Sequence, residues 1–404
     1  MLPAIIILYS AMQKPHFIKL FTFLALICLP VTLWAQEATV INKLNNFIRP
    51  INTLNPDSSF SDINFLGETL KERDIISLGE VTHGTKEVYV YKDRLIRYLV
   101  SNLNYKAIAF EADYSGLENI DSYITGKTDS AAMSPNYRAL FMWLREFNNS
   151  QSENDKVRVY GLEIREFSTA IDNILRQNEQ IAPNDKQVLL RIKSMQFNKI
   201  DKASLKDFRI VCSRMSKNRY SNMLLQLIDN YDNYISLNSK IGARDKFMAE
   251  NAIAIKEGTE NKKLIIWAHN GHVAKTTLYG RPTMGEYLHN EYTDKYYVMA
   301  TDMNKGHVRV RKFIAKNKPI SNWESLYYPE VNSIKAYEYY FKQCKFKNFI
   351  LDFNEAKKDH ELNSFLTQDK EMRLIGALSI PVNKKLSLAN NFDMIIFFNE
   401  TNSI

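Results

Sequence analysis

Cysteine is scarce in this chain of 404 residues, with three in all, Cys28, Cys212 and Cys344. They are too few for a disulfide framework, and no spacing between them is short enough for a zinc knuckle. One bridge between Cys212 and Cys344 is compatible with the sequence. Internal repeats and low-complexity tracts are also lacking, so one large catalytic domain is expected rather than a string of small units.

The longest apolar run near the start, residues 20–34, is too short to cross a bilayer, which takes roughly 20 residues. Lys14 and Lys19 precede this run, and Ala35 stands before Gln36. This pattern predicts a secretory signal peptide over residues 1–35, with cleavage near Gln36. An uncleaved N-terminal anchor is the alternative, because Leu33 is a poor residue three positions before the cut. Either interpretation places residues 36–404 outside the cytoplasm, in the periplasm or the medium.

Dense basic clusters are missing as well. The formal charge of +8 falls to +6 without Lys14 and Lys19, and the basic residues are spread along the chain rather than set between aromatic ones. Nucleic acid is therefore not an expected partner, and no stable membrane insertion is expected once the signal has been removed. A hydrophobic content of 45% is sufficient for a sizeable core.

From Ile75 onward, short apolar runs alternate with amphipathic stretches, as in parallel β-sheets flanked by helices. The fold class predicted is therefore α/β with a mostly parallel central sheet. A helix is predicted over 85–102. The predicted strands are IISLGE (75–80), AIAFE (107–111), VRVYGLE (157–163), LIIWAH (264–269), YYVMATD (296–302), HVRVRKF (307–313), FKNFILDF (346–353) and FDMIIFFNE (392–400).

No strand signal appears between the third and fourth of these runs. Apolar residues there recur at helical spacing with charges between them, as at Leu189, Ile192 and Met195. The spacing predicts helices. We interpret residues 166–257 as a helical insertion that forms a lid over the cleft, within the catalytic domain of residues 36–404.

Ionisable side chains follow three of the predicted strands: Glu80 and His83 the first, Glu111 the second, and His269 and His272 the fourth. In open α/β sheets, ligand sites lie at the carboxyl ends of the strands. Each group also has a structural explanation when taken alone. Glu80 can cap a turn, His83 can be a buried, hydrogen-bonded histidine, and Glu111 can form a salt bridge. A shared site explains all five together more simply.

Six segments together resemble the successive motifs of the erythromycin esterase family, in order and spacing, over most of residues 70–400. They are GEVTHGTKEVYVYKDRL (79–95), AIAFEADYSG (107–116), ARDKFMAEN (243–251), IIWAHNGHV (265–273), TMGEYL (283–288) and FDMIIFFNET (392–401). The resemblance implies an α/β core that carries a helical lid. The chain departs from better-known members in its export signal and its charged, tyrosine-rich insertion, and lids set substrate choice.

The resemblance also assigns roles. It implies that His83 is the general base that activates water and that Glu80 holds or polarises it. Glu111, His269 and His272 then line the same cleft and complete the predicted catalytic set. Substrate contacts are predicted for Lys92, a basic residue of the first helix, and for Asn270 and Arg244. Arg244 and Asn251 are also expected to brace the site or to pin their helix.

The expected reaction is hydrolysis of a carboxylic ester or lactone by direct attack of water. The motifs contain no serine in a G-x-S-x-G turn and no cysteine beside a strand end, which argues against a covalent acyl-enzyme. No cofactor is predicted. A divalent metal held by the same glutamates and histidines is an alternative, and so is an envelope protein that binds a ligand without turning it over. The acyl group and the alcohol are left open.

Overall fold

The computed structural model describes residues 37–163, 166–177, 181–215, 219–229, 231, 242–313, 321–379 and 383–404. The predicted signal peptide, residues 1–35, lies outside the described residues, and so do parts of the predicted insertion. Within the described ranges, no helix has the length and apolar character needed to cross a membrane.

The strands of the described chain are β1 (Arg49–Pro50), β2 (Ile75–Glu80), β3 (Ala107–Asp113), β4 (Arg158–Glu163), β5 (Leu264–His269), β6 (Tyr296–Arg311), β7 (Trp323–Tyr328), β8 (Asn348–Asp352), β9 (Lys370–Arg373), β10 (Asn383–Leu386) and β11 (Met394–Thr401). The helices are α1 (37–47), α2 (Leu66–Leu70), α3 (Lys86–Leu103), α4 (Tyr114–Ile124), α5 (Pro135–Asn149), α6 (Ser168–Gln177), α7 (Pro183–Ser194), α8 (Lys202–Arg214), α9 (Arg219–Asp229), α10 (Gly242–Glu257), α11 (Asn270–Val273), α12 (Met284–Tyr292), α13 (Tyr337–Phe341), α14 (Phe353–Ala356), α15 (His360–Thr367) and α16 (Leu388–Asn391).

A nine-stranded sheet forms the centre of the molecule, in the order β1-β8-β11-β6-β2-β5-β3-β4, with β7 paired to the far half of β6. The six strands from β11 to β4 run parallel, whereas β8, β1 and β7 pair antiparallel. The predicted α/β class with a mostly parallel sheet is therefore confirmed.

The sequence predicted two strands where the structure has one, β6. Residues 303–306 separate the two predicted runs, but Asn304 is buried and accepts a hydrogen bond from the backbone of Val331. Gly306 then adopts φ 136°, where a side chain would overlap the backbone of Thr401. The strand thus continues through the bend, pairing first with β11 and then with β7.

Apolar clusters cover both faces of the sheet. Side chains alternate along each strand, so Ile75 belongs to one cluster, while Ile76 and Leu78 belong to the other. Glu80 continues the Ile76 and Leu78 face. That face also carries Trp267 of β5, and the two residues meet at the site described below.

The described part of the insertion is helical, α6 to α10, as predicted. Its apolar residues, including Phe208 and Met248, join the cluster that contains Ile75, and α10 packs on β3, β4 and β5. That this segment covers the cleft as a lid stays a prediction. Cys212 and Cys344 are both buried and free, so the possible bridge between them is not formed.

Candidate active site

Three neighbouring parallel strands bring the predicted residues together. The order β2-β5-β3 places the carboxyl ends of these strands side by side, with Glu80 paired in register with His269 and with Glu111 on the strand beyond. The turn after β2 adds His83, and the short helix α11 adds His272. Glu80, His83, Glu111, His269 and His272 therefore lie at one edge of the sheet.

Glu80 is the most enclosed of these groups, with 2% of its surface exposed. Its Oε1 lies 2.5 Å from Nδ1 of His83, and its Oε2 accepts from Nζ of Lys92 at 2.9 Å and from Nε1 of Trp267 at 2.6 Å. Burial opposes ionisation, but the charge of Lys92 and the bond to His83 outweigh it and lower the pKa of Glu80 to about 2. Glu80 is therefore a carboxylate at neutral pH.

His83 is held by Glu80 on one side and reaches a cavity on the other. Its side chain is 27% exposed, and Nε2 has no hydrogen-bond partner among the described residues. Burial disfavours the imidazolium, but the hydrogen bond and charge of Glu80, with Glu111, raise the pKa of His83 above its ordinary value. Nε2 of His83 is thus the ring nitrogen available to a proton from outside.

The turn that carries His83 is fixed by its close approach to β6. A side chain on Gly84 would overlap the backbone of Arg309, whose N–H donates to the carbonyl of Gly84 at 3.0 Å. Thr85 is the N-cap residue of α3, but its hydroxyl makes no capping hydrogen bond. The buried hydroxyls of Thr82 and Thr85 both lack a hydrogen-bond partner in the described structure. The turn is thus held by main-chain contacts rather than by a threonine side chain.

His269 has both ring nitrogens occupied. Nδ1 accepts from the backbone N–H of Gly271 at 3.0 Å, and Nε2 lies 3.3 Å from the carbonyl oxygen of Val81, to which it donates. Burial and the neighbouring His83 lower the pKa of His269 to about 4. His269 is accordingly a neutral histidine that fixes the backbone of the turn.

Glu111 connects three elements. Its Oε2 accepts from the backbone N–H of His269 at 2.9 Å, and its Oε1 lies 2.9 Å from Nη2 of Arg244. Arg244, at the start of α10, also donates two bonds to Glu163 at the end of β4, at 2.7 and 2.9 Å. Burial opposes the charge on Glu111, but His272, His83 and Arg244 lower its pKa well below the usual range.

His272 lies between two carboxylates and a guanidinium. Nδ1 is 2.6 Å from Oδ1 of Asp245, while Nε2 is 2.9 Å from Arg244 and 3.3 Å from Glu111. An unprotonated Nε2 accepts from Arg244, and a protonated one donates to Glu111, so the two contacts belong to different states. Burial lowers the pKa of His272, but Glu111 and Asp245 outweigh it and raise the pKa to about 10, which favours the protonated state.

Two of the residues predicted to contact substrate, Lys92 and Asn270, are buried and bind other groups of the protein instead. Lys92 is fully enclosed, paired with Glu80 and positioned 4.2 Å from the centre of the Trp267 ring. Burial lowers the pKa of Lys92 to about 8. Asn270 is also fully enclosed, and its amide donates to the carbonyl of Thr301 at 2.8 Å. Their side chains support the site from behind, and among the predicted substrate contacts only Arg244 retains partial exposure.

Three partners were missed by the sequence interpretation: Trp267, which binds Glu80, and Glu163 and Asp245, which hold Arg244 and His272. Asn251, which was expected to brace the site or to pin its helix, donates its amide to the carbonyl of Leu162 and makes no contact with the site residues described above. Glu163 ends a predicted strand, as Glu111 does, so the same strand-end argument would have found it. Trp267 and Asp245 stand in the quoted motifs, but no spacing identifies their partners.

A cavity of about 260 Å³ opens beside His83. It is bounded by the ends of β2, β3 and β5, by α4, and by the start of α5 with the loop before it. Its lining residues are Glu80, His83, Phe110, Glu111, Ala112, Asp113, Gly116, Leu117, Ile120, Ala132, Met133, Ser134, Tyr137, Phe141 and Trp267. The described insertion residues contribute nothing to this lining.

The site's histidines and carboxylates are arranged as pairs rather than around a common centre. His83 binds Glu80 and His272 binds Asp245, and no group of three histidine, cysteine, aspartate or glutamate side chains within the described ranges is disposed as metal ligands. Imidazoles bonded to carboxylates are the arrangement expected of general-base chemistry.

Comparisons with known proteins relate this arrangement to one family. The family model described as erythromycin esterase matches residues 100–401. This match includes Glu111, His269 and His272, whereas Glu80 and His83 precede it. Erythromycin esterase type II of Escherichia coli is 21% identical over 334 residues, which cover 68% of this chain and 77% of that protein. YbfO of Bacillus subtilis (strain 168) is 22% identical over 355 residues, 71% and 78% of the two chains.

Solved structures share the fold. A succinoglycan biosynthesis protein superimposes with a TM-score of 0.76 at 18% identity, covering 91% of this chain and 98% of the other. A Bacillus cereus protein gives a TM-score of 0.75 at 22% identity with the same coverage. A histidine-to-asparagine variant of the erythromycin esterase EreC in its open conformation gives 0.64 at 15% identity, covering 88% and 98%.

Proposed function

Because the chain belongs to the erythromycin esterase family, we propose that it is a hydrolase that cleaves a carboxylic ester or lactone with a water molecule activated by His83. The observation that carries the proposal is the buried Glu80–His83 pair, whose free Nε2 faces a cavity. A histidine so placed accepts a proton from attacking water, and general-base catalysis of this kind contributes about 10²–10⁴-fold to the rate.

In the proposed reaction, the water oxygen forms a bond to the carbonyl carbon while one of its protons moves to Nε2 of His83. Glu80 stabilises the resulting imidazolium through Nδ1. The tetrahedral oxyanion then collapses, the bond from carbon to the leaving oxygen breaks, and His83 returns the proton to that oxygen. The products are an acid and an alcohol, joined in one molecule when the substrate is a lactone.

The charged groups around Glu111 are compatible with the formation of an oxyanion in the proposed reaction. A lone carboxylate near the reacting carbonyl would repel the developing oxyanion. Here Arg244 and protonated His272 lie against Glu111 and neutralise it. We assign Glu111, His272 and His269 to positioning and charge balance, and His83 to proton transfer.

We further propose that the protein is exported, on the strength of the signal-like pattern in residues 1–35. N-terminal sequencing of the protein recovered from the periplasm or the medium tests this. A start near Gln36 supports export with cleavage, whereas an intact Met1 in the cytoplasmic fraction contradicts it.

Hydrolysis assays on a panel of simple esters, lactones and erythromycin test the activity. His83→Ala is expected to lose about 10²-fold or more. His360→Ala, which removes an exposed histidine, serves as the matched control and is expected to keep wild-type rates. Loss of wild-type activity with a chelator would replace His83 by a metal-bound water as the activating group. Absence of turnover by the folded wild type on every substrate would contradict the hydrolase proposal.

A further inference from the structure

The cavity beside His83 is small for a ligand site. Its volume is about 260 Å³, below the roughly 300–1,000 Å³ of sites that enclose a drug-sized ligand. A cavity of about 150 Å³ in another protein holds benzene, so this one accommodates a substituted ring or a chain of several carbons. It encloses one group of a substrate, and any larger remainder stays outside it.

Much of the cavity wall is apolar. Aromatic rings from three elements meet there, with the centroids of Phe110 and Trp267 5.7 Å apart, those of Tyr137 and Trp267 5.2 Å apart, and those of Tyr137 and Phe141 5.9 Å apart. Leu117 and Ile120 of α4 complete this wall. Transfer of an apolar group from water to such a surface is favourable in proportion to the area buried.

The charged groups of the cavity are unfavourable to an anion. Among its lining residues, the carboxylates are Glu80, Glu111 and Asp113, the one histidine is His83, and no lysine or arginine is present. A carboxylate in the cavity would lack a cationic partner other than His83, which the proposed mechanism uses in its neutral form. A neutral group is therefore preferred.

We infer that this cavity selects substrates in which one side of the scissile carbonyl carries a neutral apolar group about the size of a phenyl ring or a six-carbon chain. The inference rests on the proposed function and adds the substrate class to it. The scissile carbonyl then lies at the His83 end of the cavity, with the apolar group against Phe110, Tyr137 and Trp267.

Gly116 offers a direct way to change the size of the cavity. It lies in the first turn of α4 and lines the cavity, and a Cβ added to it meets no atom within 4 Å. Its φ is not in the left-handed region, so alanine and leucine fit the helix. Gly116→Ala therefore adds a methyl group to open space, and Gly116→Leu is expected to reduce the cavity further by extending that side chain.

The activity assay compares the hexanoyl, phenylacetyl, acetyl and monoadipoyl esters of one alcohol. A matched series keeps the acyl group constant and varies the alcohol instead. Wild type is expected to prefer the neutral six-carbon and phenyl groups over both acetyl and adipoyl. Gly116→Leu is expected to lower the hexanoate-to-acetate ratio of kcat/KM by roughly 10-fold or more, with Gly116→Ala intermediate. Gly376→Leu is the control, because its added Cβ also meets no atom within 4 Å and it lies outside the cavity lining.

The binding arm does not depend on turnover. Ligand-observed NMR measures phenylacetamide, a neutral probe, against wild type and both Gly116 variants, and thermal unfolding checks that each variant is folded. If wild type binds the probe and Gly116→Leu binds it more weakly, the inference is supported even when no ester is hydrolysed. A lack of hydrolysis would then count only against the hydrolase proposal. Absence of probe binding by wild type, equal rates for adipoyl and hexanoyl esters, or a substrate ratio unaltered in Gly116→Leu would overturn it.

Discussion

Glu80 remains ionised inside the protein because three donors surround it. The sequence predicted its proximity to His83, which follows three positions later in the same turn. It did not predict that Lys92 and Trp267 bind Glu80: Lys92, on the helix that follows, was expected to contact substrate, and Trp267 lies on another strand. Local spacing thus identified the reactive pair, while the groups that make the pair stable come from tertiary packing.

Glu80→Gln is expected to shift the pH dependence of hydrolysis. The base must be neutral to act, so kcat/KM rises with pH through the pKa of His83, which Glu80 raises. Removing the carboxylate lowers that pKa, and the acid limb of the profile should move to lower pH, with a smaller maximum. The measurement is kcat/KM from pH 4 to 9, with Glu361→Gln, an exposed change, as the control. An acid limb that does not move would contradict the assigned role.

A second buried acid, Glu338, predicts a pH-dependent change in stability. Burial raises the pKa of Glu338 to about 7, near the enclosed Asp302, which lies across from it on β6. An acid whose folded pKa is raised holds its proton in the folded state, so its ionisation destabilises the protein as pH rises from about 4.5 through 7. Glu338→Gln removes that ionisation and should raise the free energy of unfolding at pH 8 by about 2 kcal/mol, with little change at pH 5.

Urea unfolding at the two pH values checks this prediction. The amide oxygen of glutamine still accepts the backbone bond from Arg373, which leaves the charge as the main difference. An equal effect at pH 5 and pH 8 would show that packing rather than ionisation is responsible.

At the scale of elements, the strands were the most predictable part. The parallel strands at the centre of the sheet are mostly buried on both faces, so their apolar runs are continuous and easily recognised, as at LIIWAH, which matches β5 in both bounds. The partly exposed β1 and β7 at the margins of the sheet were not predicted. Carboxyl ends of neighbouring parallel strands meet, and this rule alone brought Glu80, Glu111 and His269 to one edge. The walls of the cavity were not predictable, because α4 and α5 reach it only through packing across the sheet.

Gly84→Ala tests how the His83 turn is attached to β6. The added methyl group would overlap backbone atoms of Arg309, which cannot move without disturbing the strand. We expect a loss of about 1–3 kcal/mol in unfolding free energy together with a lower kcat. Gly376→Ala, which meets open space, is the control. Wild-type stability and activity in Gly84→Ala would contradict the close contact.

Arg244 connects α10 to the ends of β3 and β4. Its side chain is mostly enclosed, and Arg244→Met would leave Glu111 and Glu163 without their shared cation. We expect Arg244→Met to lower the free energy of unfolding by about 3 kcal/mol. When Glu163→Gln is combined with Arg244→Met, the decrease should be smaller, because fewer charges then remain unpaired. Urea unfolding of the four proteins in this cycle gives the coupling. Additive effects would show that the pair contributes no interaction energy.

At the scale of the whole molecule, the part of the chain that the structure describes contains no disulfide cross-link. Cys212 and Cys344 are buried and free, and burial raises the pKa of each thiol to about 12. Both should therefore react with a thiol reagent only after global unfolding, and a reductant should leave Tm unchanged. Labelling rates of the mature protein in increasing urea measure this. A fast-reacting thiol in the native protein would contradict the packing described for it.

The sequence identifies the family directly, but it does not identify the substrate. The order of motifs in the sequence identified the family, and the family model agrees over residues 100–401. Substrate choice does not follow from motifs, because it depends on the shape of a cavity whose walls, such as Ile120 and Phe141, lie on helices outside the quoted strand ends. The three-dimensional structure was needed to define that shape.

The position of β11 also has a consequence for biosynthesis. This strand is the last of the described strands in chain order, yet it occupies the interior of the sheet, between β8 and β6. Ribosomes add about 5–20 residues per second, so β11, which begins at Met394, follows the end of β6 at Arg311 by roughly 4–17 s. Throughout that interval β6 presents an unpaired hydrogen-bonding edge, which is the feature that leads strands of different molecules to associate. Successful production of this protein therefore depends on keeping the nascent chain apart from its copies until its final strand is inserted.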